Sequence, residues 1–114
     1  MSKSILQRKD GTCYLCSMLH GDESYYSWLE EHHVFGGTAN RKRSEHFGLK
    51  IYLCNSHHNQ TCSESVHNNE EINETVKRIA QREYESRYGH ASFMAEFGKN
   101  HLDEAEWFEI DNVG

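Results

Sequence analysis

Leu29-Glu30-Glu31-His32-His33-Val34-Phe35-Gly36-Gly37 and Ile51-Tyr52-Leu53-Cys54-Asn55-Ser56-His57-His58-Asn59 are the two ends of the stretch that decides this fold. Each end carries a pair of adjacent histidines beside an apolar run that reads as a short strand. Successive side chains on a strand point to opposite faces, so one histidine of a pair can face inward while its neighbour faces outward. Such a pattern can bring two imidazoles from distant parts of the chain to one metal ion and leave a third for proton transfer.

The elements around this stretch follow from local signals. Tyr25 to Val34 is aromatic-rich and loosely alternating, which predicts a strand ending near Phe35, and Gly36-Gly37 breaks it. A polar and basic segment follows, with a short helix expected from Arg41 to Phe47 and closed by Gly48. Leu49 to Leu53 is the second strand, with Leu49, Ile51 and Leu53 on one face. Asn55 or Ser56 can cap a helix starting at the second histidine pair. Thr61 to Val66 is small and polar and reads as a loop. Asn68 with Glu71 resembles a capping box. It introduces a long helix over about 69–88, whose apolar stripe is Ile72, Val76, Ile79, Ala80 and Tyr84 and whose stop is Gly89. A short helix over about 92–97, ended by Gly98, should pack Phe93, Met94 and Phe97 against it. Met1 to Gly11 is polar and basic and fits either an arm or a short helix.

Cys13-Tyr14-Leu15-Cys16 follows Asp10-Gly11. Two thiolates at this spacing on a turn can reach one tetrahedral ion, and Cys54-Asn55-Ser56-His57 supplies a second half with the same spacing. No βαβ pattern surrounds Cys13, which argues against a redox motif. One zinc would account for Cys13, Cys16, Cys54 and one of His57 and His58. It leaves Cys62 as an ordinary buried thiol, and it leaves Glu31-His32-His33 unexplained.

Composition sets the outer bounds. A chain of 114 residues suits one domain with a modest core, and its 36% apolar share suits a core stapled by something besides packing. No apolar run is long enough to span a bilayer, and the start lacks the pattern of a signal peptide, so a cytoplasmic protein is expected. Four cysteines in that compartment point to metal ligands, and nine histidines strengthen the case. The net charge of −6 is uneven: residues 101–114 form an acidic tail with five carboxylates and no Lys or Arg, leaving residues 1–100 nearly balanced. There, Arg41-Lys42-Arg43 with Lys50 makes a basic patch beside the histidines. Local charge, more than the total, decides whether a phosphate backbone is attracted.

Hydrolysing a phosphodiester needs a nucleophile made from water, charge relief on the phosphate and stabilisation of the leaving 3′ oxygen. One divalent metal can supply the last two and a histidine base the first. On these features, carried by Glu31-His32-His33-Val34-Phe35-Gly36-Gly37, Asn40-Arg41-Lys42 and Gly48 to His58, residues 13 to about 70 resemble an HNH endonuclease with a zinc knuckle, of the small type common in phages and prophages. The run through Tyr88-Gly89 and Phe93-Met94 to Phe97-Gly98-Lys99-Asn100 is similar to that group as well.

The resemblance implies an α+β fold with a zinc-stabilised ββα-metal core and C-terminal helices. It implies a structural zinc on Cys13, Cys16, Cys54 and His57, and a catalytic Mg²⁺, Mn²⁺ or Ni²⁺ on His32 and His58, with His33 as general base. Arg41, Lys42, Arg43 and Lys50 would contact DNA. Two positions depart from the family pattern. Its middle Asn falls near Gly48 and Leu49 here, so Asn40, earlier in the loop, is the nearest substitute. Its further histidine, four residues after His58, is Cys62, so His67 would have to arrive from a returning loop. Some phage HNH proteins cut DNA only within a recombinase filament, which adds a host recombination or defence protein as a partner class. The competing expectation is a non-catalytic phage-encoded binding protein on a degenerate HNH scaffold, with its acidic tail docking a basic host target.

Overall fold

The structure is a computed structural model and describes residues 3–58, 63–103 and 106. Its elements in chain order are α1 (Tyr14–His20), β1 (Glu30–His33), α2 (Thr38–Phe47), β2 (Lys50–Leu53), α3 (Asn55–His58), α4 (Glu70–Tyr88) and α5 (His90–Phe97), an α+β arrangement. The two strands pair antiparallel, with Glu30 opposite Leu53, Glu31 opposite Tyr52, His32 opposite Ile51 and His33 opposite Lys50. Directly opposed residues share a face. His32 and Glu30 therefore lie with Ile51 and Leu53, while His33 and Glu31 lie with Lys50 and Tyr52. Leu49, Ile51 and Leu53 are wholly buried, as their alternation predicts. The opposite face of β2 is covered too: Lys50 and Tyr52 are also buried.

The N-terminal segment is an arm fastened along the free edge of β2. Ser4 Oγ donates to the Lys50 carbonyl (2.5 Å), the Tyr52 amide donates to Gln7 Oε1 (2.7 Å), and the Ile5 amide donates to the Gly48 carbonyl (2.9 Å). These bonds satisfy edge groups that would otherwise invite pairing with another chain. The strand expected from Tyr25 begins only at Glu30. The Tyr26 amide donates to the Gly11 carbonyl (2.8 Å), and Tyr25 and Trp28 are largely exposed, so this aromatic stretch runs outside the sheet.

The helices refine the local reading. The Cys-x-x-Cys turn opens a helix not anticipated from the sequence: Cys13 caps α1, its Sγ accepting from the Cys16 amide. Helix α2 starts at Thr38, three residues earlier than expected, and ends at Gly48, whose φ of 73° is the left-handed conformation of a C-cap. Ser44 of α2 clamps the end of β1, accepting from the Phe35 amide (3.2 Å) and donating to its carbonyl (3.1 Å). Asn55 opens α3 instead of capping it, and its side-chain Nδ2 donates to Glu30 Oε2. Asn69, not Asn68, caps α4, its Oδ1 accepting from the Ile72 amide at 3.0 Å. Val76, Ala80 and Tyr84 are buried, and Ile79 only partly.

Helix α5 begins at His90, two residues before the expected Ser92, and packs Phe93 and Phe97 against Phe35, with ring centroids 5.4 and 4.8 Å away. Phe47 and Tyr84 extend this aromatic core, which joins α2, α4 and α5 behind the end of β1. At the start of the acidic segment, Leu102 is buried and the His101 amide donates to Gln81 Oε1 (2.8 Å); residues 104–105 and 107–114 lie outside the described residues. Among the described residues, no helix is long and apolar enough to cross a membrane.

Candidate metal centres

Two clusters of ligand-type side chains flank the C-terminal end of β2. The first joins Cys13 and Cys16 at the start of α1 to Cys54 and His57 at the start of α3, all four buried. His57 Nδ1 lies 3.6, 3.4 and 3.3 Å from the sulfurs of Cys13, Cys16 and Cys54, and the Cys16 and Cys54 sulfurs are 3.8 Å apart. A tetrahedral zinc, with Zn–S of about 2.3 Å and Zn–N of about 2.0 Å, has S···S edges of about 3.8 Å and S···N edges of about 3.5 Å. The observed spacing has those dimensions and is far too long for a disulfide. Burial pushes the Cys16 thiol up to about 12, and the neighbouring thiols add to this. A bound cation would reverse that preference by favouring the thiolates. The four residues could therefore bind a metal ion such as zinc.

The surroundings of this cluster are built to hold it. His57 Nε2 is turned toward Glu64 Oε1 (3.4 Å), which also binds His20 Nε2 (2.8 Å). A carboxylate on the far nitrogen fixes the ring and its tautomer, leaving Nδ1 as the ligand atom. Tyr26 places its hydroxyl 3.4 Å from Cys16 Sγ.

The second cluster is His32, His58 and His67, with ligand nitrogens all within 4.8 Å of one another. Ring centroids are 5.2 Å apart for His32–His58, 5.2 Å for His32–His67 and 4.9 Å for His58–His67. β1 delivers His32 from the buried face of the sheet, α3 delivers His58, and the turn after residue 62 returns His67 to them. Among the described residues, His32 Nε2 is the only buried side-chain nitrogen or oxygen without a hydrogen-bond partner. Leaving such an atom unsatisfied costs about 1–3 kcal/mol, which a ligand would relieve. Burial, then the neighbouring His58 and His67, press the His32 pKa down to about 3, and burial lowers that of His67. His32 thus keeps its lone pair at neutral pH. Glu30 Oε1 accepts from His58 Nδ1 at 2.7 Å, which fixes the His58 ring within the cluster. His67 is exposed, which leaves the cluster open on one side, as a reactive site requires.

His33 lies on the other face of β1 and lines the same cleft of about 420 Å³ as the three histidines. Its Nε2 donates to Glu45 Oε1 (2.9 Å), leaving Nδ1 to accept a proton. Glu45 also accepts from Lys50 Nζ (3.0 Å), and the hydrogen bonds from His33 and Lys50 hold its carboxyl down at about 2. Glu31, His33 and Glu45 form a third grouping of ligand-type atoms, but Lys50 already supplies its cation, 3.4 Å from Glu31 and 3.0 Å from Glu45.

The structure separates the residues expected to meet phosphates. Arg41 lines the histidine cleft, and with Lys42 it lines the groove beyond His33. Lys50 is 2% exposed and held in the ion pairs above, with Glu31 and Glu45 as its partners. Arg43 is turned to Glu96 of α5 (3.4 Å) and donates to Asn40 Oδ1 (3.3 Å), which engages both side chains on α2. Asn40 does not line the cleft. Cys62 lies outside the described residues. The sequence reading missed Glu30, Glu45 and Glu64, which orient histidines, and Asn73 and Lys77, which line the cleft from one face of α4. The four-residue spacing of Asn73 and Lys77 was visible, but not that this face turns toward His32. No protein-family model, no curated protein and no solved structure matches this chain.

Proposed function

We propose that this protein is a metal-dependent DNA endonuclease or nickase of the HNH kind, phage-encoded, with a structural zinc on Cys13, Cys16, Cys54 and His57. The observation that carries the reading is the convergence of His32, His58 and His67 around an orphaned buried nitrogen, in a cleft that His33 also lines. The three histidines would hold the divalent ion. When bound, that ion relieves charge on the phosphate and stabilises the leaving 3′ oxygen.

The chain's own residues would do the rest. Arg41 and Lys77 attract and seat the phosphate. Glu45 keeps the His33 ring in one tautomer, with Nδ1 free to take a proton from water as its oxygen attacks phosphorus. The P–O3′ bond breaks, and the leaving oxygen takes its proton from solvent. Glu30 fixes the orientation of the His58 ring within the cluster.

The test is nicking of supercoiled plasmid with Mg²⁺, Mn²⁺ or Ni²⁺. Wild type should nick, and His33→Ala should fall by roughly 10²- to 10⁴-fold with the cysteine-bound zinc retained. Absence of nicking under every metal would remove the enzymatic reading. The competing reading, a binding protein on the same scaffold, draws on Asn40, which is engaged by Arg43 and lies outside the cleft. It predicts metal binding at the histidines without nicking.

A further inference from the structure

We propose that the groove beside the N-terminal arm binds a single-stranded DNA segment, stacking unpaired bases on Tyr25 and Trp28 and seating phosphates on Lys3, Arg8 and Lys9. The choice of DNA rests on the function proposed above; the groove chemistry does not. Trp28 and Tyr25 are 77% and 76% exposed, the most exposed large hydrophobic side chains among the described residues. Both line a groove of about 560 Å³ that also includes Lys9 and Tyr52. A second groove of about 520 Å³, lined by Lys3 and Arg8, adjoins it through Lys9, Glu31 and Tyr52.

The Tyr25 side of the platform is held in place. The Tyr25 ring lies against the Gly11 backbone, so that a Cβ on Gly11 would sit 2.4 Å from its ring carbons. The next residue is tied at both ends: its amide donates to the Gly11 carbonyl, and the Tyr26 hydroxyl sits on Cys16 Sγ. The Lys9 ammonium is 5.7 Å from the centre of the Tyr52 ring.

Charge selects the occupant. Lys3, Arg8 and Lys9 are exposed. Of the acids in the groove, Glu31 lies 3.4 Å from Lys50 Nζ, and Asp10, hydrogen-bonded to the Thr12 amide (3.2 Å) and hydroxyl (2.7 Å), keeps its charge but is outnumbered by these three cations. Open aromatic faces interleaved with cations are the chemistry that binds unpaired bases on a phosphodiester backbone, since every base has a π-face. A duplex hides those faces. Glu31 also lines the histidine cleft, so it borders both the groove and the proposed catalytic site.

The test uses the full, zinc-bearing chain without added divalent ions, titrated into fluorescein-labelled oligo(dT). Anisotropy reads binding, and in a Trp107→Phe background, quenching reads Trp28 directly. Trp28→Ala and Tyr25→Ala should each weaken binding by roughly 5- to 150-fold. Lys9→Gln should lower the slope of log affinity against log salt by about 0.7, one phosphate's share. Gly11→Ala, which displaces Tyr25 without removing it, should also weaken binding. Zinc content and circular dichroism check that each variant folds.

The proposal is overturned if the Tyr25→Ala/Trp28→Ala double variant binds like wild type, or if a duplex of equal length competes as well as oligo(dT). It is also overturned if oligo(rU) binds more tightly, or if these variants abolish self-association measured by sedimentation, which would make a second copy the occupant. Nicking without aromatic-dependent binding sinks this inference alone. Aromatic-dependent binding without nicking sinks the enzymatic reading alone.

Discussion

Gly48→Ala is the substitution whose cost this structure lets one work out. Gly48 has φ +73°, and an added Cβ would stand 2.2 Å from the Lys3 carbonyl oxygen and 3.2 Å from the Ile5 nitrogen. The left-handed conformation alone costs an L-residue about 1–2 kcal/mol. The clash is with backbone, so no side-chain rotation relieves it and the arm must lift. Lifting breaks the Ile5–Gly48, Ser4–Lys50 and Tyr52–Gln7 hydrogen bonds, each worth about 0.5–1.5 kcal/mol. The total is about 3–6 kcal/mol, a large part of a small domain's stability. Gly21→Ala is the control: its φ is +64°, but nothing lies within 4 Å of the new Cβ, so only the conformational cost of about 1–2 kcal/mol applies. Urea unfolding of the zinc-bearing chain measures both, and hydrogen exchange at the Tyr52 amide reports whether the arm has lifted. If Gly48→Ala costs no more than Gly21→Ala and the Tyr52 amide stays protected, the arm is not fastened as described.

Three further outcomes follow from the site. Glu30→Gln should weaken metal binding at the histidine cluster by roughly 10- to 100-fold while leaving the cysteine-bound metal in place, as read by metal titration and elemental analysis. If the cysteine cluster holds zinc, Cys54→Ser should lose that metal and most of the thermal stability, because Cys54 joins the end of β2 to the cluster on α1; an unchanged zinc content would refute this. Glu45 has a folded pKa held down at about 2, below its ordinary 4.5, so it stabilises the fold fully above pH 4.5 and loses that contribution as pH falls through 2. The stability difference between wild type and Glu45→Gln should therefore shrink across that window in acid denaturation, and a constant difference would show that the His33 and Lys50 bonds do not act on Glu45.

The features legible in the chain were those carried by neighbours in sequence. The stripe Val76, Ala80 and Tyr84 announced α4 because every third or fourth residue shares a helix face. Leu49, Ile51 and Leu53 announced β2 through their alternation, and Cys13 with Cys16 announced a metal half-site because one turn brings both sulfurs to one point. The adjacency of His57 and His58 likewise required them to separate, since neighbours on a helix point about 100° apart. Which one joined the cysteines depended on how α3 is rotated against β1, and that is set by contacts between distant residues. The same holds for Glu30 beside His58, Glu45 beside His33 and the return of His67 to His32. Lys50 reads as a free cation in sequence and is buried in fact, because the pairing register placed it opposite His33 and beneath Glu45. Local spacing determined which side chains could serve a metal; strand register and helix phase, which are properties of the packed whole, decided which of them meet.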